Sequence, residues 1–427
     1  MYLPKSPWVR WAIGFGCGLL LFVGVSSQFR SSAYEPTLPP LPQDPFVQVY
    51  FNHSQAATYI DPYRQISRAG DDLEAQIIAT IDSAKNSIVV AVHEFTLPDI
   101  ALALSQRQAA GVDVRVVIEN TYNIPIAQRD LTAIGSLDSR DRTKADDLFA
   151  FVDINQDGHL SSEEIGQRDA LSILAQANIP ILDDTADGSK GSGLMHHKFM
   201  VIDQQTVITG SANWTMSGIH GDFTSRESRG NANSLLIING PGLARQFAAE
   251  FELMWGDGPG GSDDSLFGLQ KPERSPVLAS TPGSVIEVQF SPVSKSKPWS
   301  NSVNALIAKT LRQATQSIDM ALFVFSEQPI SDQLMELAQR GIPIKALIDP
   351  GFAYQNYSEG LDMLGLSLPD HRCKFEANNL PWTHPISTVG LPALPRGDKL
   401  HHKFAVIDHS VVIMGSQNWS KADRKSV

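Results

Sequence analysis

The chain has 427 residues, of which 42% are hydrophobic and 19% charged, so it is long and apolar enough for two ordinary domains. Its 46 acidic and 34 basic residues give a net charge of −12, which weighs against a general nucleic-acid binder without excluding a nucleic-acid partner. Two cysteines exclude a disulfide framework, a zinc ribbon and an iron–sulfur site.

The N-terminus is typical of a targeting segment. Lys5 and Arg10 precede an unbroken apolar run over residues 11–25, which is the layout of a signal peptide or short membrane anchor within residues 1–30. A run of 15 residues is short for a bilayer span, so cleavage and anchoring both stay open. The basic residues in front of it favour an exported or membrane-anchored body on the periplasmic or extracellular side. A proline-rich spacer over residues 31–45 follows.

The body of the chain is an internal duplication. Segments 84–88 and 314–318 are similar at an offset of 230 residues, and Gly111 and Gly341 keep that offset. In the first copy, a helix with Asp71 as its N-cap precedes a buried strand, and a second helix ends at the glycine before another strand. The second copy repeats this order. Strand, helix and strand in succession predict parallel pairing with helices on the faces of the sheet.

The predicted fold class is therefore α/β, with two pseudo-symmetric halves. Each half should hold a mixed, mostly parallel sheet flanked by helices, with the active site at the interface of the halves. The first half covers residues 46–255 and the second covers residues 284–427. Between them lies a linker over residues 256–283, which is rich in Gly, Pro, Ser and Asp and should be flexible.

Each copy carries the same chemical pattern, H-x-K-x4-D-x6-G-S-x-N. Successive strand residues point to opposite faces, so the histidine and the lysine of each motif share one face. The glycine lets the backbone turn, and the serine hydroxyl and asparagine amide can then reach an oxyanion. The pattern is matched by His196, Lys198, Asp203, Ser211 and Asn213 in the first copy, and by His401, Lys403, Asp408, Ser416 and Asn418 in the second.

With this duplicated motif, the chain resembles the phospholipase D superfamily over most of residues 70–420. The resemblance implies a phosphodiesterase that hydrolyses or transfers phospholipid headgroups through a phosphohistidine, with no catalytic metal. It assigns His196 as the nucleophile and His401 as the general acid, with the opposite order left open. The lysines, asparagines and serines would bind and stabilise the phosphate, and Asp203 and Asp408 would orient and charge-balance the site.

The first copy holds a second motif. It is 25 residues longer than the second copy between its glycine and its motif histidine, about one helix-loop-helix. Residues 153–164 fit the calcium loop of an EF-hand, within an insert over about 141–170, so a regulatory or structural Ca²⁺ is expected. The alternative is an acidic turn that binds nothing. The expected ligands are Asp153, Asn155, Asp157, the carbonyl of His159, and Glu164.

The copies differ after their motifs. Between Asn213 and Trp255 the first copy continues for 42 residues through an apolar strand and a helix, whereas nine residues follow Asn418. The expectation is a second half that is C-terminally incomplete and has an uncovered sheet edge. His197 and His402, which follow the motif histidines, are expected to point away from the site.

The substrate is the most open part of the prediction, because the motif indicates only that a phosphodiester is bound and not which molecule carries it. An exported, acidic chain with a calcium loop favours a phospholipid or a membrane surface as the partner. The alternative is a metal-independent endonuclease of the same superfamily, which would act on nucleic acid. A second alternative is an inactive, calcium-responsive module that binds phosphate or membranes.

Overall fold

The computed structural model describes residues 35–129, 139–191 and 193–422. It confirms the predicted class, with two α/β halves that are each built around their own sheet. The strands up to the end of the linker hairpin are β1 (Val47–Phe51), β2 (Thr58–Ile60), β3 (Ser67–Ala69), β4 (Ser87–Val92), β5 (Asp113–Ile118), β6 (Ile181–Asp183), β7 (Lys198–Ile202), β8 (Thr206–Gly210), β9 (Ser234–Asn239), β10 (Val277–Thr281) and β11 (Ser284–Val288). The strands of the second half are β12 (Ile318–Leu322), β13 (Phe325–Ser326), β14 (Ile344–Ile348), β15 (Val389–Gly390), β16 (Lys403–Ile407), β17 (Val411–Ile413) and β18 (Trp419–Ser420).

The first sheet has seven strands in the order β1-β9-β8-β7-β4-β5-β6. Strands β4, β5 and β6 are parallel, and the remaining neighbours pair antiparallel. The sequence of β4 is SIVVAV, and a strand this apolar along its whole length belongs in the middle of a sheet that is covered on both faces. Residues 88–92 of this strand are all buried.

The second sheet has five strands in the order β15-β14-β12-β16-β17. Strand β12 takes the place of β4, since it pairs in parallel with β14 and antiparallel with β16. The motif strand β7 is the central strand of the first sheet and lies beside β4, and the motif strand β16 lies beside β12, the central strand of the second sheet.

The helices cover the sheets and join the strands. Helices α2 and α9 each end two residues before a glycine, Gly111 and Gly341, whose φ of +88° and +84° glycine adopts without strain. The predicted N-cap is wrong, because Asp72 caps α1 while Asp71 accepts the N–H of Phe51. The helices are α1 (Leu73–Asp82), α2 (Pro98–Ala109), α3 (Ser139–Val152), α4 (Ser162–Arg168), α5 (Ala170–Gln176), α6 (Met216–Ile219), α7 (Pro241–Trp255), α8 (Val303–Leu311), α9 (Gln328–Gln339), α10 (Pro350–Ala353) and α11 (Glu359–Met363).

The linker packs against the first half. Phe267 is buried, and the Nζ atom of the buried Lys271 lies 2.6 Å from a carboxylate oxygen of Glu250 in α7. Strands β10 and β11 form a hairpin at its end. The expectation of a flexible linker over residues 256–283 is therefore wrong, because these apolar and charged side chains fix it to α7.

The expected membrane anchor is not found in the part of the chain that the structure describes. Over residues 35–129, 139–191 and 193–422, none of the helices combines the length and the apolar composition that a bilayer crossing requires. The predicted targeting segment itself, residues 1–30, lies outside the described residues.

Candidate active site

Each motif histidine lies two residues before the lysine that begins a strand. Strand β7 begins at Lys198 and β16 begins at Lys403. The Nζ atom of Lys198 donates to the carbonyl oxygen of His196 at 2.9 Å, and that of Lys403 donates to the carbonyl oxygen of His401 at 2.7 Å. Both lysines are buried, so their charges act with little screening by water.

The two halves meet at the motifs. Ala232 of the first half pairs with the segment just before β16, and its carbonyl oxygen accepts the N–H of His401 at 3.0 Å. A cavity of about 140 Å³ is lined by His196 and Lys198 from the first half and by Ser416 from the second. Residues of both motifs therefore contribute to one interface.

A residue of the first half orients the histidine of the second. The Nδ1 atom of His401 lies 3.0 Å from Oδ1 of Asn233, and the same oxygen accepts the hydroxyl of Ser211 at 2.7 Å. Asn233 is fully buried, and its amide nitrogen donates to the carbonyl of Gly218, which fixes the direction of the amide. Nδ1 of His401 therefore carries a proton, and Nε2 is left for chemistry.

Asn233 did not enter the predicted site. Its only signal in the sequence is a polar side chain directly before the apolar strand β9, and many buried strands begin in this way. The contact with His401 joins residues 168 positions apart, so no local pattern reveals it.

Burial lowers the pKa of both motif histidines well below the ordinary histidine value. The next cause is the lysine of the same motif, Lys198 for His196 and Lys403 for His401. The lysine of the opposite half lowers each pKa further, so all four groups lie close together. Both imidazoles are consequently neutral at pH 7, and a neutral imidazole can attack without first losing a proton.

A third histidine stands in this cluster. His93 directly follows β4, and its ring centroid lies 4.9 Å from that of His196. Burial, followed by the charge of Lys198, lowers the pKa of His93 to about 3. His93 was not among the predicted site residues because Phe323 occupies the matching position of the second copy.

The predicted phosphate-binding side chains differ in their surroundings. Ser211 is held by the buried amide that also orients the second motif histidine. The Nδ2 atom of Asn213 lies 3.4 Å from a carboxylate oxygen of Glu94, and its Oδ1 atom is buried with no hydrogen-bond partner. Ser416 lines the cavity between the halves, and Asn418 is half-buried directly before β18.

The two motif aspartates lie at the far end of their strands. The carboxylate of Asp203 accepts the N–H groups of residues 85–87 at 2.7–2.9 Å, and that of Asp408 accepts those of residues 315–317. A five-residue strand, about 16 Å long, separates each aspartate from its motif lysine. The expectation that these residues orient or charge-balance the site is therefore wrong. They fix the turns that lead into β4 and β12.

The histidine that follows each motif histidine packs elsewhere. Nε2 of His197 lies 2.8 Å from a carboxylate oxygen of Glu250 in α7. His402 stands edge-on to Phe51 and Phe404, with ring centroids 5.7 and 5.1 Å away. These contacts are structural.

The predicted calcium loop joins α3 to α4 and closes on its own backbone. Asp153 accepts the N–H of Gly158 at 3.0 Å, and Glu164 accepts those of Ser161 and Asn155 at 2.9 and 3.1 Å. Gly158 has a φ of +79°, where glycine is favoured. Within the described parts of the chain, no three His, Cys, Asp or Glu side chains form a group that could hold a metal.

The chain was compared with known protein families. The family model described as cardiolipin synthase, PLD-like domain, matches residues 77–255 and 307–425, which together exceed half of the chain. The two matched segments fall in the two halves, and each contains one copy of the motif.

Curated relatives include mitochondrial cardiolipin hydrolases. That of Xenopus tropicalis is 26% identical over 185 residues, which cover 43% of this chain and 62% of the relative. The human protein is 24% identical over 186 residues, which cover 44% of this chain and 52% of the relative. The chain therefore spans less than two thirds of either relative.

Solved structures with partial similarity include two bacterial proteins. Nuc from Salmonella typhimurium, described as a phospholipase D family member, is 24% identical with a TM-score of 0.30, covering 51% of this chain and 97% of Nuc. Phosphatidylserine synthase from Haemophilus influenzae is 11% identical with a TM-score of 0.47, covering 91% of this chain and 82% of the synthase.

Proposed function

Because the chain belongs to the phospholipase D-like domain family of cardiolipin synthase, we propose that it is a phosphodiesterase that hydrolyses phospholipids through a phosphohistidine. The observation that carries the proposal is the meeting of the two motifs across one interface, where Asn233 bonds both His401 and Ser211 and one cavity is lined by His196, Lys198 and Ser416. A phosphodiester requires a nucleophile, a proton donor and positive charge around its anionic oxygens. This cluster contains all three.

In the first step, Nε2 of His196 attacks phosphorus and the bond from phosphorus to the leaving alcohol breaks. His401 donates a proton to that alcohol, since the negative charge of the bound phosphodiester raises the pKa of the imidazole. The ammonium groups of Lys198 and Lys403 stabilise the charge that develops on the phosphoryl oxygens. Asn233 holds the imidazole of His401 in place through Nδ1.

In the second step, water attacks the phosphohistidine and His401 takes up a proton from this water. The bond between phosphorus and Nε2 of His196 then breaks. The products are a phosphate monoester and a free alcohol, and an alcohol in place of water gives headgroup transfer. The roles of the two histidines follow the family resemblance, and the same steps run with the roles exchanged.

The proposed substrate is a phospholipid. The curated relatives are named for the hydrolysis of cardiolipin, which makes cardiolipin the first lipid to test. A net charge of −12 opposes electrostatic attraction to nucleic acid and to anionic cardiolipin vesicles alike, so the charge does not separate the two substrates.

The test uses the full chain with cardiolipin vesicles and with plasmid DNA in parallel, each with calcium or with chelator. The wild type and the variant His371→Ala, whose histidine is exposed and outside the cluster, should release phosphatidic acid from the vesicles. His196→Ala should lose at least about a thousandfold in rate, the scale expected for a covalent nucleophile. DNA nicking without lipid turnover would instead identify an endonuclease. Vesicle binding with no turnover of either substrate would identify an inactive binding module.

We also propose that loop 153–164 binds Ca²⁺, with the carboxylates of Asp153, Asp157 and Glu164 turning toward the ion from the backbone N–H groups that they accept in this structure. Support comes from its side-chain oxygens, the carbonyl of His159 and the positive φ of Gly158, which suit the spacing and sharp turn of a calcium loop. Bound calcium would link the end of α3 to the start of α4. On α3, Asp147 accepts the N–H groups of Phe223 and Thr224 at 2.8 Å each, so an ordered α3 would brace the segment that leads to β9.

Isothermal calorimetry on the full chain tests this loop. We expect binding at or below millimolar calcium and a higher unfolding temperature with the ion present. Glu164→Gln should abolish both effects, whereas Glu163→Gln, at the exposed neighbouring position, should retain them. Absence of binding at millimolar calcium would leave an acidic turn.

A further inference from the structure

The residues beside the two motif histidines differ chemically. We call His93 and Glu94, beside His196, the first wall, and Phe323 and Phe352, on the side of His401, the second wall. His93 and Glu94 follow the central strand β4, and Phe323 and Val324 follow β12 at the matching positions, 230 residues later. The ring of His93 lies 4.9 Å from that of His196, and the ring of Phe323 lies 4.8 Å from that of His401. Each motif histidine therefore has one flanking ring in the same relative place, but only one of these rings is polar.

The first wall presents hydrogen-bond acceptors. Nδ1 of His93 lies 2.9 Å from the carbonyl oxygen of Met195, so Nδ1 carries the proton and Nε2 is an acceptor. The low pKa of His93 keeps this imidazole neutral at pH 7. Beside it, the Glu94 carboxylate lies 3.4 Å from Nδ2 of Asn213 and 3.7 Å from Nζ of Lys144, with 15% of its side chain exposed.

The second wall is apolar. Phe323 stands edge-on to Phe352, with ring centroids 4.7 Å apart, and Nζ of Lys403 lies 4.9 Å from the centroid of the Phe323 ring. An aromatic face beside the motif lysine packs against hydrocarbon or binds a cation, but it offers no acceptor comparable to a carboxylate or an imidazole nitrogen.

We propose that His93 and Glu94 form a headgroup subsite, which accepts hydrogen bonds from an O–H or N–H donor on the alcohol esterified to the phosphate. The leaving headgroup departs on the side of phosphorus opposite the attacking histidine, so a headgroup beside His93 makes His401 the nucleophile and His196 the proton donor, which is the exchanged order of the two-step scheme. The apolar wall of Phe323 and Phe352 then faces the glyceride side of the same phosphodiester. This inference rests on the proposed phospholipid function and names the headgroup chemistry. Hydroxyls of a glycerol headgroup and the ammonium of an ethanolamine headgroup share that chemistry.

The test compares phosphatidylethanolamine with phosphatidylcholine in otherwise identical vesicles. Both headgroups are zwitterionic, but only ethanolamine has N–H donors. For the wild type we expect kcat/KM to be at least about tenfold higher with ethanolamine, and His93→Phe, which copies the second wall, should bring this ratio close to one. Glu94→Gln should lower the ratio by a smaller factor. Phosphatidylglycerol in a third arm tests whether hydroxyl donors serve as well as ammonium donors.

The ratio between two substrates does not depend on how much of a variant is folded, so partial misfolding does not obscure the result. Phe323→His is the matched control on the second wall and should retain the wild-type preference. A wild-type ratio near one, or a ratio that His93→Phe leaves unchanged, would overturn the headgroup subsite while leaving the phospholipase proposal intact. If the wild type turns over no phospholipid, both proposals are wrong.

Discussion

The two halves share a strand pattern, but they bury it differently. In the first half, Val117 and Val207 are completely buried on the sheet face that α7 covers. In the second half, Leu347 and Val412 occupy the matching positions and are 42% and 57% exposed. Among residues 193–422, which include the described second half, no helix covers that face of the second sheet as α7 covers the first. In the same residues, no strand pairs with the outer edge of β17.

This comparison shows what alternation in a strand determines and what it does not. Period-two alternation decides the face to which each side chain points, and it does so equally in both copies. Burial depends on what covers that face. In the first half, Phe247 of α7 packs edge-on against Phe199 with ring centroids 5.1 Å apart, whereas the matching Phe404 is only half-buried.

At the cluster itself, the halves depend on each other. The histidine of the second half is oriented by Asn233 of the first, so the catalytic geometry cannot be assembled from one half. Breaking this contact should have the largest effect of the changes below. Asn233→Ala removes the acceptor of His401 Nδ1 and should lower kcat about 10- to 100-fold, which corresponds to the roughly 1.5–3 kcal/mol of a hydrogen bond to a charged group.

A loss of activity alone would not separate orientation from general damage, so the pH profile provides the specific measurement. Asn233→Asp replaces a neutral acceptor with a carboxylate, which stabilises the imidazolium and should raise the pKa of His401. The limb of the pH–rate profile that belongs to this group should move to higher pH by about one unit or more. A profile that Asn233→Asp leaves unmoved would show that the amide does not act on His401.

The next largest effect concerns stability, and the chain offers a matched pair of valines. Val207→Ala opens a cavity under α7 and should lower the free energy of unfolding by about 2 kcal/mol. Val412→Ala, at the exposed matching position, should cost less than about 0.5 kcal/mol. Urea denaturation monitored by circular dichroism measures both. Equal costs would mean that the second sheet face is covered in solution.

The valine pair also shows which features of the fold can be predicted from local sequence patterns and which cannot. The apolar sequence of β4, the repeated spacing and the glycines at 111 and 341 predict the α/β class and the two halves because they depend on local chain geometry. Strand alternation alone does not predict that Val207 is buried and Val412 exposed. That difference depends on α7, which the sequence predicts as the helix between Asn213 and Trp255 of the first copy.

The residues of the candidate site also fall into those that the sequence predicts and those that it does not. The repeated histidines and lysines could be placed together because each histidine lies two positions before its lysine, which puts both side chains on one face of an extended chain. The aspartates belong to the same motif, yet a strand length carries them to the opposite end of the sheet, and the motif spacing alone does not reveal this. Asn233 and His93 could not be predicted, because their roles arise from contacts across the interface or from a position that the second copy fills with Phe323.

The last prediction concerns the second half, where two carboxylates are buried together. Glu359 and Asp362 face each other at the start of α11, and burial followed by the charge of Asp362 raises the pKa of Glu359 to about 10. One oxygen of each residue is buried without a hydrogen-bond partner. At pH 7 Glu359 therefore holds a proton in the folded chain, whereas it is ionised in the unfolded chain.

This proton links stability to pH with a definite sign. A raised folded-state pKa gives stability that is fully present below the unfolded value of about 4.5 and is lost as pH rises toward 10, by up to about 1.4 kcal/mol per pH unit. Glu359→Gln keeps the shape without the titration, so its urea midpoint should fall less between pH 6 and pH 9 than that of the wild type. Glu336→Gln, at an exposed site on the neighbouring α9, should follow the wild-type pH dependence. If Glu359→Gln retains the wild-type slope, the pair does not bind this proton, and the pH dependence arises from other titratable groups.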